Sequence, residues 1–278
     1  MKRLINGNEL YIEEHGNPNG KAIFFIHGAP GLGDCRNDIK AFSDLGVDYR
    51  LIFMDMRGSG RSEGKPPFTH EQWTEDIESV RKELVDEPII ILGGSYGGFL
   101  ALEYVLRYPE SVRAVLLRDT AASKRFDQDS VQAAKDANLT DVSEDELIRL
   151  FAGEVASNEE FKRVFSAIQP LYTVEYDEIA VKKKMDSIYY RYETHNAAFK
   201  YNKPNYNIVD QLPSIKVPVF ITVGRHDWIT PVESSDEIAS HIPNHEYHIF
   251  EQSGHSPHHE ENELYLARLR AFLQKNKL

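Results

Sequence analysis

Gly93-Gly94-Ser95-Tyr96-Gly97 constrains this chain more than any other stretch. It follows Pro88-Ile89-Ile90-Ile91-Leu92, a short apolar, β-branched run that reads as a fully buried strand. It precedes a segment from Gly98 to Tyr108 that has helical periodicity and stops at Pro109. A G-x-S-x-G between strand and helix reverses the chain so sharply that the serine backbone is strained, while residues without side chains let strand and helix pass closely. The serine hydroxyl then stands out of the sheet at the positive end of a helix. The five residues alone also fit a glycine-rich turn with an incidental serine, so their meaning depends on the rest of the chain.

The 278 residues, 41% of them hydrophobic, allow one large α/β domain or two small ones with a real core. A formal net charge of −12 and the lack of a basic cluster argue against a general nucleic-acid or anionic-membrane surface. The segment from Met1 to Glu9 lacks the apolar stretch of a signal peptide, and no run is apolar enough to span a bilayer. Cys35 is the only cysteine, which excludes an internal disulfide and makes a reducing cytoplasm the expected location. Cys35 itself reads as a small, unreactive thiol.

Taken in order, Leu4-Ile5 and Leu10-Tyr11-Ile12 flank Asn6-Gly7-Asn8 and read as two antiparallel edge strands. Ala22-Ile23-Phe24-Phe25-Ile26 is a buried strand that runs into His27-Gly28-Ala29-Pro30-Gly31-Leu32-Gly33. That rigid loop exposes backbone N–H groups, so Ala29 can supply one donor of an oxyanion hole and Tyr96, next to the serine, the other. No G-K-[ST] or spaced G-x-G-x-x-G follows, which argues against a nucleotide site. Tyr49 to Met54 is a further strand; Asp55 and Arg57 in the glycine turn after it read as braces between loops. Thr69 and Gln72 signal a capped helix that runs to about Val85.

Val112 to Leu117 is another strand, after which composition changes. From 119 to 205 the chain is polar and charge-rich without a strand-like run; helices are expected after Ser143, from Glu159 to Gln169 and from Tyr176 to Tyr201. The sheet resumes at Val217 to Val223 and ends with Tyr247 to Phe250. Thr230-Pro231 reads as a helix cap plus first helical position, and a helix from about Glu260 to Gln274 closes the chain. The expected fold is α/β, a mostly parallel sheet flanked by helices. Residues 1–118 and 206–278 form its core, and 119–205 an inserted helical cap.

Ser95, Asp227 and His255 then each sit on a loop at the carboxyl end of a parallel strand, where open α/β sheets place their sites. A serine hydroxyl needs an imidazole to take its proton, and the imidazole needs a carboxylate to fix its tautomer. A Ser-His-Asp triad with an acyl-enzyme intermediate is the expectation. His248, His258 and His259 are rivals of His255; the run from His255 to Glu260 lacks the further ligands a metal site needs, and no metal or cofactor is expected. His27 reads as a brace of its loop and His226 as a pocket-wall or surface residue.

The whole chain resembles the α/β-hydrolase family, and its motifs are most similar to those of the proline iminopeptidase group of serine peptidases. His27-Gly28-Ala29-Pro30-Gly31 resembles that group's HGGPG, Asp55 to Ser62 its DQRGxGxS, and Gly93 to Gly98 its GGSWG elbow with tyrosine for tryptophan. Tyr189-Tyr190-Arg191-Tyr192-Glu193 resembles its W-x-x-W-E. The resemblance implies release of an N-terminal proline or a small apolar residue from peptides, with Glu193 at the substrate amine and Gly28 as a second substrate-binding residue. A carboxylesterase or lactonase is the alternative, favoured if the cap pocket is apolar and Glu193 points away. A catalytically idle binding module is a third reading. The expected partner is a small peptide or ester; oligomeric state is not read from the sequence.

Overall fold

The structure, a computed structural model, describes residues 1–137 and 139–278. Eight strands form one sheet in the order β1-β2-β4-β3-β5-β6-β7-β8. They are β1 (Lys2–Ile5), β2 (Asn8–Gly16), β3 (Ala22–Ile26), β4 (Arg50–Asp55), β5 (Ile89–Gly94), β6 (Val112–Arg118), β7 (Val219–Gly224) and β8 (His245–Phe250). β1 pairs with β2, and β2 with β4, antiparallel; every other pairing is parallel. The expected edge hairpin is therefore present, with Asn6 and Gly7 both at positive φ in its turn.

The central strands are continuous apolar runs because helices cover both faces of the sheet. α1 (Arg36–Phe42) and the closing helix α11 (Asn262–Lys275) pack on Phe25, Phe53 and Leu92. α2 (His70–Leu84), α3 (Tyr96–Arg107) and α9 (Val232–His241) pack on Phe24, Ile26, Ile91 and Leu117. Between β6 and β7 the chain leaves the sheet for α4 (Asp127–Asp136), α5 (Glu144–Ala152), α6 (Asn158–Ala167), α7 (Glu178–Ser187) and α8 (Tyr192–Ala197). Leu147, Leu150, Phe161, Val164 and Met185 give this insertion its own apolar cluster, joined to the rest through Leu32. At the start of α5, Ser143 and Glu146 cap one another's backbone N–H groups.

Two local readings are corrected. The single helix expected from Tyr176 to Tyr201 breaks at 188–191, because Arg191 is held from outside. Its N–H donates to the Gly31 carbonyl at 2.8 Å and its guanidinium to the carbonyls of Gly60 and Ser62 at 3.1 and 3.2 Å. Thr230 does not cap α9; its hydroxyl donates to Asp227, and Pro231 takes the cap position. The closing helix expected from about Glu260 to Gln274 is α11, and a separate turn, α10 (Pro257–Glu260), precedes it.

Asp55 and Arg57 brace loops, as expected, but through different partners. Asp55 pairs with Arg61 at 2.8 Å and accepts the Cys35 N–H. Arg57 grips Asp76 of α2 with two hydrogen bonds of 2.7 and 2.9 Å. Both members of this second pair are buried, so deleting one strands the other charge in the core. Asp76→Ala is expected to cost about 3–5 kcal/mol in urea unfolding. Deleting Glu71, whose contact with Arg107 is exposed, is expected to cost under about 1 kcal/mol.

Candidate active site

Ser95 stands between β5 and α3 with φ 53° and ψ −124°, a left-handed backbone that a residue with a side chain adopts only under constraint. The constraint is crowding. A Cβ on Gly97 would overlap the Ile26 and His27 carbonyls, and one on Gly93 would overlap the Gly97 carbonyl. The Ser95 N–H donates to the Arg118 carbonyl at 2.9 Å, and its own carbonyl accepts the Thr120 hydroxyl at 2.8 Å. Both bonds tie the turn to the end of β6.

The loop after β3 lies alongside. A Cβ on Gly28 would come within 3.1 Å of the Ser95 Cβ, so glycine there lets the loop approach the serine. His27 braces this loop: its Nδ1–H donates to the Gly28 carbonyl at 2.7 Å, and its Nε2 accepts the Met56 N–H at 2.9 Å. The Ala29 N–H has no acceptor among the described residues, and the Tyr96 N–H is the first of α3, where helices leave amides unpaired.

Asp227 and His255 follow β7 and β8. The His255 Nδ1–H donates to Asp227 Oδ2 at 2.8 Å, which leaves Nε2 free as an acceptor. Asp227 is held in turn by the N–H groups of Ile229 and Thr230 and by the Thr230 hydroxyl, at 2.9, 3.1 and 2.8 Å. Burial works to lower the His255 pKa, but the Asp227 carboxylate outweighs it and holds the imidazole above its ordinary value. The His255 N–H is fixed by the Tyr172 carbonyl at 2.9 Å, and the two rings meet edge-on at 5.6 Å.

Ser95 opens into a cavity of about 460 Å³ roofed by the insertion. Phe99, Leu150, Phe151, Phe161, Phe165 and Phe199 give its wall an aromatic and aliphatic part. Its charged lining groups are Asp127, Lys135 and Lys203; Asp127 and Lys203 pair with each other at 2.9 Å. Ala29, Tyr96 and Tyr172 line the same cavity.

Glu193 does not. It is exposed on α8 and lines grooves on the outer surface with Asn158, Tyr189 and Lys200. Thr194 and His195 take the buried face of that short helix, so Glu193, one residue earlier, is turned outward. The structure brings Ser95, Ala29 and Tyr96 together around the cavity, Gly28 against Ser95, and Asp227 to His255, without bringing Glu193 to them. The rival His258 is buried against the Arg118 guanidinium at 2.8 Å, and the neighbouring His259 is pushed down to about 3 by burial and by Arg118.

Some neighbours escaped the sequence reading. Asp119, at positive φ after β6, is fully buried, with Oδ1 accepting the Gly224 N–H at 3.0 Å and Oδ2 unpartnered among the described residues. Burial and then the Asp227 charge raise its pKa, favouring the neutral acid. Its place at a strand's carboxyl end was the available signal. Behind Tyr96, His70 links the Tyr96 hydroxyl at 2.6 Å to Glu103 at 2.8 Å, an arrangement that no spacing announces.

The mostly parallel sheet and the strand–serine–helix turn define an α/β hydrolase. The chain belongs to the α/β-hydrolase fold family, whose model matches residues 21–262, and is an enzyme of the hydrolase type, similar to proline iminopeptidases. A proline iminopeptidase of the fungus Pestalotiopsis fici is 32% identical over 98% of both chains. One from Clostridioides difficile is 27% identical over 92% of this chain and 90% of its own. Among solved structures, a thermophilic esterase from Thermogutta terrifontis superposes with a TM-score of 0.80 at 24% identity, covering 99% of this chain and 98% of that one. An enol-lactonase from Burkholderia xenovorans superposes at 0.77 with 20% identity, covering 99% of this chain and 100% of its own.

A titration of the His255 ring by NMR is expected to give a midpoint above the ordinary value of about 6.5. Asp227→Asn removes the charge that raises it and leaves burial in place, so the midpoint is expected to fall below that value.

Proposed function

We propose that this chain is a serine hydrolase that cleaves neutral carboxylic esters through an acyl-enzyme on Ser95. Ser95 Oγ attacks the carbonyl carbon while His255 Nε2 takes its proton, and Asp227 holds Nδ1–H and stabilises the imidazolium. The N–H groups of Ala29 and Tyr96 receive the oxyanion, each worth about 3 kcal/mol in comparable sites. His255 returns the proton to the departing alkoxide, then deprotonates the water that releases the acid and frees Ser95.

The observation that carries the ester over the peptide is the wall of the Ser95 cavity. It is largely aromatic and aliphatic, and the carboxylate expected to receive a substrate ammonium, Glu193, lies outside it. A buried ammonium without a carboxylate partner loses its hydration with nothing to replace it. A neutral acyl group loses nothing of that kind. The aminopeptidase stays as the second reading because of the relatives' identity; in it Asp127, now paired with Lys203, would have to receive the amine.

Hydrolysis of p-nitrophenyl butyrate and of proline p-nitroanilide separates the two. Ester turnover is expected, lowered by about 10⁶ in kcat in Ser95→Ala and unchanged within about two-fold in Glu193→Gln, an exposed site. Anilide turnover that exceeds ester turnover and collapses in Asp127→Asn would reverse the assignment.

A further inference from the structure

We infer that the hydroxyl of Tyr172 reads the alcohol part of the substrate, selecting esters whose leaving group carries a hydrogen-bond acceptor such as an ether or carbonyl oxygen. The inference rests on the ester reading above and adds the substrate class to it.

In this cavity most polar side chains are already engaged; Gln132 donates to Asp136, while Gln128 is exposed to solvent. Thr230 donates to Asp227 at 2.8 Å, and Ser130 to the Ile229 carbonyl at 2.9 Å. The Tyr96 hydroxyl lies between His70 and the Ala198 carbonyl. Lys203 is paired with Asp127, and Lys135 with Glu144. His195 donates from Nε2 to the Leu150 carbonyl, and its Nδ1 is sealed from the cavity.

Tyr172 differs. It lines the cavity with Ser95 and is only partly buried, and its hydroxyl has no hydrogen-bond partner among the described residues. Its ring is fixed on three sides by edge-on contacts with Phe165, Trp228 and His255, at 5.6 Å in each case. A rigid phenol whose donor is not taken up by the protein is a specificity device, because a donor that must give up water favours a ligand able to replace it. Burial and the Asp227 charge push its pKa up, so it remains a donor across the working pH range.

The position of Tyr172 says which part of the substrate it meets. His255 must hand its proton to the leaving oxygen, so the alcohol lies on the His255 side of the scissile carbonyl. Tyr172 packs on that ring and holds its backbone N–H. That adjacency is the ground for assigning this hydroxyl to the alcohol part.

The test compares 2-methoxyethyl butyrate with butyl butyrate, which differ by an ether oxygen in place of a methylene. In Tyr172→Phe the ring and the carbonyl on His255 stay and only the donor goes. The ratio of kcat/KM values, methoxyethyl over butyl, is expected to fall about five-fold from wild type, the size of one neutral hydrogen bond. The leaving groups' unequal acidity affects both proteins alike and cancels. Trp228→Phe, which leaves the hydroxyl in place, is expected to keep the wild-type ratio. An unchanged ratio in Tyr172→Phe, or an equal fall for both esters, would overturn the inference while leaving the ester reading intact. Absence of any ester turnover that depends on Ser95 would instead remove the ester reading, and this inference with it.

Discussion

The close approach of β3, β5 and α3 at Ser95 is the constraint on which the rest depends. A left-handed residue with a side chain costs of order 1–3 kcal/mol and persists only where its surroundings over-determine it. Here the surroundings are backbone: the Ile26 and His27 carbonyls fill the space where Gly97 would carry a side chain. Hydrogen bonds to Arg118 and Thr120 hold the turn from the other side. Because β3, β5 and β6 must be neighbours for these contacts to form, the strand order places the loops after β3, β6, β7 and β8 at one edge. The groups able to do chemistry stand on those loops.

Charge is distributed there with the same economy. Asp227 is ringed by three donors besides His255, which fix its orientation. Asp119 is equally buried, with one donor and an unpartnered oxygen, and burial and then the Asp227 charge favour its neutral acid. Two buried carboxylates near one imidazole would repel if both were charged. Burial and that repulsion fall on Asp119, the carboxylate that does not touch His255, and raise its pKa.

Much of this was legible in the sequence, for local reasons. Fully buried parallel strands must be short apolar runs, so Ala22 to Ile26 and Ile89 to Leu92 announced themselves. Ser95 and Asp227 each follow such a run, His255 follows the edge strand β8, and glycines mark the turns. The insertion was less legible because distant contacts decide it. Arg191 breaks a helix by reaching the loops after β3 and β4, and that break sets which face of α8 is buried. Glu193 consequently faces outward although its motif resembles one that binds an amine. Tyr172 belongs to no motif, and only its packing against His255 gives it a role.

The most direct measurement is covalent labelling with a fluorophosphonate, read by intact mass and peptide mapping on the wild-type chain and on Asp227→Asn. The proposed action of the Asp-oriented imidazole on the strained elbow predicts a single adduct, on Ser95, formed far more slowly in Asp227→Asn because the imidazole loses its tautomer. No adduct, an adduct elsewhere, or equal labelling rates in the two proteins would contradict the account.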